Sequence, residues 1–156
     1  MRSTYRTLAY LIAVEVMLQA AFIAWAVFGL SSWIDDGGTL DKKAMDDNTW
    51  HFAEERGFMF HGINGQMLIP LLSLALLVVA FVWKAQGAVR NAAVLFGLVV
   101  LQVVLGMAAE AAPFLGALHG LNALAVFGAA VMAGKMAGVA HQRPHATSPQ
   151  EPAATP

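Results

Sequence analysis

The four residues His-Gly-Leu-Asn at positions 119–122 repeat, with one conservative change, the four residues His-Gly-Ile-Asn at positions 61–64. Each copy begins a long apolar run. A Leu-Gln pair lies in the apolar run that precedes each copy, at positions 18–19 and 101–102. Recurrence of the same pattern at two places predicts that the chain folds as two copies of a helix pair, with one imidazole on the second helix of each pair.

Composition places the chain in the membrane-protein class. Of its 156 residues, 58% are hydrophobic and 12% are charged, and the length corresponds to a single domain. A formal net charge of -1 provides no basic surface for phosphates, so nucleic-acid binding is not expected. The absence of cysteine excludes disulfides, thiolate catalysis and cysteine metal sites.

Four apolar runs are long enough to cross about 30 Å of hydrocarbon. The sequence therefore predicts an all-α fold: an integral membrane four-helix bundle, residues 1–140, built from two helix-pair repeats in a lipid bilayer. The predicted spans cover about 8–30, 59–83, 91–109 and 114–139.

The distribution of charge predicts the orientation of these helices. The connection 31–58 contains seven carboxylates and only three cations. The other cations that flank the predicted spans lie on the opposite side of the membrane. By the positive-inside rule, this connection is external and both termini are cytoplasmic in the cell membrane. The tail 141–156, rich in Pro, Ala, Ser and Thr, is expected to be disordered, and its His141 and His145 to be dispensable.

Counting from the polar inner ends of the second and fourth runs gives the depth of the repeated histidines. His61 precedes Lys84 by 23 positions, and His119 precedes His141 by 22. Both imidazoles should therefore lie at nearly the same depth, in the outer half of the membrane. Equal depth is required of two axial ligands on opposite sides of one metal.

Two paired histidines without cysteine or a nearby carboxylate favour haem over zinc. A zinc site would lack ligands, whereas a porphyrin supplies four nitrogens and needs only the two imidazoles. The sequence thus predicts haem b as the cofactor, with His61 and His119 as metal ligands. The alternative is that each histidine bridges two helices by a hydrogen bond.

Other residues near each histidine are candidate cofactor contacts. Asn64 and Asn122 lie one helical turn from their histidines, on the same face. Gly62 and Gly120 follow the histidines directly, and a missing side chain there allows either a flat macrocycle or a neighbouring helix to approach the backbone.

Four further polar residues allow two interpretations each. Gln19 and Gln102 are either interhelical hydrogen-bonding groups or site residues. Arg56 is either a partner of haem propionates or a solvated loop cation. Glu15 either relays protons or meets a cofactor edge, or it is a neutral carboxyl that is hydrogen-bonded to a neighbouring helix.

The run Leu-Gln-Val-Val-Leu-Gly at 101–106, followed by Leu-His at 118–119, resembles the third and fourth helices of the haem A synthase family. The chain also looks like short four-helix membrane proteins of actinobacteria. The resemblance implies one four-helix half of a synthase, with a haem-binding histidine on the second and fourth helices. In that family an Arg follows the first histidine and a Glu precedes it by three residues, where this chain has Gly62 and Phe58. Haem A synthesis is therefore not expected. The sequence leaves enzyme activity open and favours a protein that is not a stand-alone enzyme.

Two functions follow as hypotheses. The first is a cytochrome b-like protein that binds one haem near the outer face, for electron transfer or haem handling, with a membrane redox partner or a quinone. The second is a cofactor-free membrane subunit or assembly factor whose histidines bridge helices. A carrier that uses Glu15 is disfavoured, because four helices with one acid leave little room for gating.

Overall fold

A computed structural model describes residues 1–46 and 49–139; the tail from residue 140, with His141 and His145, lies outside the described residues. The described chain is helical and contains no strand. Four of its helices are long and apolar enough to cross a membrane, and the all-α four-helix prediction is confirmed. The helices are α1 (Arg2–Asp35), α2 (Lys42–Asp46), α3 (Ala53–Trp83), α4 (Ala88–Ala108) and α5 (Phe114–Val139).

Helix α1 extends past both ends of its predicted span. Hydropathy marks the part of a helix that matches the hydrocarbon, whereas a helix continues until the backbone is interrupted. The interruption comes at Gly37, whose φ of +95° is a conformation that glycine adopts readily. Helix α3 likewise begins at Ala53, so both ends of the predicted loop 31–58 are helical.

Helix α3 changes its winding next to His61. An α-helical segment, Arg56–Ile63, is followed by a π-helical turn, Asn64–Leu68, before the α-helix resumes at Ile69–Trp83. The Ile69 N–H bonds to the carbonyl of Asn64, five residues earlier. We attribute the wide turn to Pro70, which has no N–H and whose ring crowds the carbonyl four residues before it.

Tight turns join the last three helices. Lys84, with φ of 54°, ends α3, and Gly87, with φ of 78°, precedes α4. Both residues occupy the left-handed region, which reverses the chain within a few residues. Pro113 stands just before α5, where its fixed φ suits the start of a helix.

Each long helix packs against two others. Helix α1 contacts α3 and α5, and α4 contacts the same two helices. The two histidine helices, α3 and α5, therefore stand at opposite corners of the bundle, as do the two glutamine helices, α1 and α4. Diagonal placement lets side chains of α3 and α5 meet across the interior.

One end of the bundle, which contains the N-terminus and the α3–α4 turn, is tightly packed; we call it the terminal end. Alanines such as Ala80, Ala92 and Ala130 are fully buried there and let the backbones approach closely. The Tyr5 hydroxyl donates to the carbonyl of Ala88 at 3.2 Å, and the Tyr5 ring contacts Trp83 with centroids 5.2 Å apart. The core of the protein is at this end.

The opposite end, which we call the loop end, is covered by the connection between α1 and α3. Trp33 near the end of α1 packs against His51 and Phe52, with ring centroids 5.5 and 5.6 Å apart. The guanidinium of Arg56 lies 5.9 Å from the ring centroid of Trp50. Aromatic side chains of the connection therefore pack on the end of α1.

The first half of α3 packs mainly against α1. Segment Arg56–Leu68 packs against α1, whereas the packing of α3 against α4 is provided by Ile69–Trp83. Gly57 lies so close to α1 that an added Cβ would meet the Phe22 carbonyl oxygen at 2.5 Å.

Large apolar side chains cover the outside of the four spans. At least one such side chain on each long helix is more than 50% exposed: Phe28, Leu71, Val104 and Leu121. Exposed apolar surface on four sides of a bundle needs an apolar surrounding, which a bilayer supplies. The chain is a multi-pass membrane protein.

Candidate functional site

The two repeated histidines lie together in the interior of the loop end. The ring centroids of His61 on α3 and His119 on α5 are 6.1 Å apart, and the rings are inclined by 59°. Both residues are half-buried. The predicted meeting of the two imidazoles across the bundle is confirmed.

Each imidazole is held by the glutamine helix of its own pair. Nδ1 of His61 lies 3.2 Å from the backbone oxygen of Gln19, and Nδ1 of His119 lies 3.0 Å from the backbone oxygen of Gln102. A carbonyl oxygen can only accept, so Nδ1 must carry the proton in both rings. In the neutral rings, Nε2 then has a free lone pair and is the nitrogen available to a metal.

In the pair α4–α5, the amide side chains next to the histidine form a closed network. Gln102 Nε2 donates to the backbone oxygen of His119 at 2.9 Å. Asn122 Nδ2 donates to Gln102 Oε1 at 2.7 Å and to the backbone oxygen of Leu98 at 2.9 Å. The amides of this network therefore fix α4 and α5 against each other around His119.

In the pair α1–α3, the corresponding network is incomplete. Asn64 Nδ2 donates to Glu15 Oε2 at 2.8 Å. Within the described chain, Gln19 Nε2 and Asn64 Oδ1 are buried without a hydrogen-bond partner. One donor and one acceptor are thus unused beside His61, whereas the equivalent donor of the other pair, Gln102 Nε2, is bonded.

Glu15 and Leu98 occupy equivalent positions. Each stands four residues before the glutamine of its pair, and each receives the asparagine of the following helix. Asn64 bonds to the Glu15 carboxylate, whereas Asn122 bonds to the Leu98 backbone oxygen. Glu15 thus has a hydrogen bond to a neighbouring helix, as one of its two interpretations predicted.

A cavity of about 740 Å³ lies between the histidines and is lined by all four long helices. Its wall is mostly apolar, with the imidazoles and amides as the polar groups. Gly62 and Gly120 line it, and a Cβ at either position would meet no described atom within 4 Å. The two glycines therefore leave open space beside the rings, at the place that a side chain would fill.

Gly106, the last residue of the Leu-Gln-Val-Val-Leu-Gly run, is a site residue that the sequence analysis did not propose. It lines the cavity, and a Cβ added there would lie 3.1 Å from both Cε1 and Nδ1 of His119. Gly106 is four residues after Gln102, and the equivalent residue after Gln19 in the pair α1–α3 is Ile23. The sequence analysis did not predict the π-helical turn after His61 either; Pro70 was the residue in the sequence that could have indicated it.

The predicted site residues separate into three groups. The cavity is lined by both histidines, Gln19, Gln102, Gly62 and Gly120. Asn64 and Asn122 lie behind the rings, bonded to the neighbouring helix, and do not line the cavity. Arg56 lies over Trp50, also away from the cavity wall.

Within the described ranges, no group of three His, Cys, Asp or Glu side chains is close enough to hold a metal ion. The donors at the cavity are the two imidazoles, so the protein itself offers two of the bonds that a metal would need. A cofactor that brings its other ligands matches this donor set.

Comparison of the chain with protein-family models, with curated proteins and with solved structures finds no match in any of the three.

Proposed function

We propose that this protein is an integral membrane haem b-binding protein, cytochrome b-like, that holds one haem between His61 and His119 near the outer face. Its role is electron transfer or haem handling, with a membrane redox partner or a quinone. The observation that carries the proposal is the pair of cavity-lining imidazoles, 6.1 Å apart, each donating Nδ1–H to a backbone carbonyl.

The hydrogen bonds to Gln19 and Gln102 support this proposal. Histidines that bind a metal almost always donate their other ring N–H to a carbonyl or carboxylate, which fixes the tautomer and the ring orientation. Here both rings have that bond. The ring centroids are 6.1 Å apart, so both imidazoles could hold one bound group between them.

The cavity supports the same cofactor class. A volume of about 740 Å³ with an apolar wall lies within the range of cofactor pockets. The missing side chains of Gly62 and Gly120 leave room beside each ring. Haem would supply a one-electron couple there; His61 and His119 would hold it, and the apolar wall would keep water away from it.

The resemblance to haem A synthase remains a hypothesis that rests on the glutamine and histidine motifs. It supports haem binding only, since Phe58 and Gly62 replace the carboxylate and the guanidinium of that family. We propose no haem A synthesis.

A second candidate function rests on the same hydrogen bonds. His61 bridges α3 to α1, and His119 bridges α5 to α4. A cofactor-free membrane subunit or assembly factor would use the rings in this way alone. It would not, however, need two imidazoles at one cavity with unprotonated Nε2 atoms.

An absorption spectrum separates the two candidates. We expect the protein, purified in detergent, to have the low-spin spectrum of a bis-histidine haem, with a Soret band that shifts on reduction by dithionite. Protein isolated without haem should acquire this spectrum when haemin is added at one equivalent. A wild-type protein that neither carries haem nor takes it up would leave the helix-bridging function.

We also propose that both termini are cytoplasmic and the Asp-rich connection is external, as the cation distribution indicates. The absence of natural cysteine allows a direct test with single introduced cysteines. In intact cells, a membrane-impermeant maleimide should label Thr39→Cys in the connection and should not label Ser3→Cys before lysis. The reverse pattern would contradict this topology.

A further inference from the structure

Glu15 is the one carboxylate in the four apolar runs of the sequence, and the proposed function does not use it. Its carboxylate accepts from Asn64 Nδ2 at 2.8 Å. Asn64 is three residues from His61 on α3, and Glu15 is four residues from Gln19, whose carbonyl holds the same imidazole. Glu15 is therefore bonded to a residue one helical turn from His61, and it stands one helical turn from the residue whose carbonyl holds that imidazole.

Asn64 can serve both protonation states of Glu15. An ionised Glu15 needs a donor, and Asn64 Nδ2 supplies it. A neutral Glu15 needs an acceptor for its hydroxyl, and Asn64 Oδ1 is buried with no partner in the described chain. A half turn of the terminal amide, whose torsion is broad and roughly two-fold, exchanges the two atoms.

The other helix pair does not offer this exchange. Leu98 takes the place of Glu15, and its backbone oxygen cannot titrate. Asn122 Nδ2 is shared between two acceptors, and Gln102 is bonded through both of its side-chain atoms. A proton can therefore be bound next to His61 but not at the equivalent place next to His119.

We infer that Glu15 is a proton-binding site that is coupled to the electron on the cofactor: Glu15 takes up one proton when the site is reduced and releases it on oxidation. The inference rests on the proposed haem site. An ionised Glu15, one helical turn from the residue whose carbonyl holds His61, would favour the oxidised, more positive form of the site, and adding an electron would favour the neutral carboxyl. One electron comes from an external one-electron donor, one proton comes from solvent, and the single bond formed is the carboxyl O–H.

Other titratable groups on the neighbouring helices are few. His61 is the one such side chain in α3 after Arg56, and α5 contains His119 and Lys135. On α1 itself, Tyr10 packs against Gly134, toward the terminal end. His61 and His119 are the proposed iron ligands, so Glu15 is the carboxyl whose charge can follow the electron.

Two measurements test the inference. Redox titrations of the haem-loaded protein over a series of pH values should show a midpoint potential that falls as pH rises, by at most about 59 mV per pH unit for one proton per electron. In Glu15→Gln and Glu15→Leu, the latter copying Leu98, this dependence should be lost. Glu110→Gln, which removes an exposed carboxylate from the α4–α5 turn, is the matched control and should behave as wild type.

Infrared spectra provide a readout that does not depend on the potential. Reduced-minus-oxidised spectra of wild type should contain a protonated-carboxyl C=O band that both Glu15 variants lack and Glu110→Gln retains. The haem-free protein should show the same band appear and disappear in a pH titration. A haem-loaded wild type with the same pH dependence as Glu15→Gln, and no such band, would overturn the inference and leave the haem site intact. Failure to bind haem would overturn the proposed function, while the titration of haem-free protein would still test Glu15.

Discussion

Both helix pairs present a glutamine, a histidine and a glycine to the cavity, but only the pair α1–α3 has buried amide atoms without a hydrogen-bond partner in the described chain. Both hold an imidazole by a glutamine carbonyl. In α4–α5, the amides of Gln102 and Asn122 bond to each other and to the backbone. In α1–α3, one donor of Gln19 and one acceptor of Asn64 are buried without a partner in the described chain.

The two pairs therefore hold the histidine in the same way but differ in whether the hydrogen bonds around it can rearrange. A closed network has one arrangement, so it fixes His119 rigidly. An open network that includes a carboxyl has more than one arrangement and can respond to charge. We expect the histidines to be equivalent as ligands and their surroundings to be unequal.

The largest expected effect is loss of a histidine, and it should be the same in both pairs. His61→Ala and His119→Ala should each abolish the low-spin spectrum completely, because loss of either axial bond leaves the iron with one imidazole. Absorption spectroscopy of each purified variant checks this, and added imidazole should restore part of the spectrum if the fold is intact. His51→Ala, outside the cavity, is the control. A variant that keeps a full low-spin spectrum would show that its histidine is not a ligand.

A smaller effect should appear when the pairs are made alike at one position. Gly106→Ile copies Ile23 of the other pair, and its side chain must displace His119, since a Cβ alone already comes within 3.1 Å of that ring. We expect haem affinity to fall at least about tenfold, a second-shell magnitude, measured by haemin titration. Gly97→Ile lies in the same helix at an exposed position with open space and should bind haem normally. Equal affinity of the two variants would contradict the contact with His119.

The smallest effect concerns stability and should differ in sign between the pairs. Gln102→Leu removes two hydrogen bonds and should lower the free energy of unfolding by about 1 kcal/mol, the order measured for such bonds in membranes. Gln19→Leu removes a buried donor that has no partner in the described chain, so it should be neutral or slightly stabilising. Both substitutions keep the backbone carbonyl that holds the imidazole. Denaturation of haem-free protein in sodium dodecyl sulfate measures both, and equal losses would show that the two networks do not differ.

The sequence determined the class of fold through its four apolar runs, since a chain with so much apolar surface must satisfy its backbone within helices in a bilayer. The repeated motif also located His61 and His119 at one depth, because both are counted along regular helices from polar ends. Helix ends were less well predicted: α1 and α3 extend into the connection 31–58, where hydropathy no longer follows helical structure.

Only the tertiary structure decided which atoms meet. A repeat of letters cannot show that Asn64 reaches a carboxylate while Asn122 reaches a backbone oxygen, because that depends on the packing of α1 and α4 at opposite corners. The closeness of Gly106 to His119 likewise depends on the distance between two helices, not on spacing within one. Local periodicity fixes which face a residue occupies, whereas contacts across the bundle are set by how all the helices pack together.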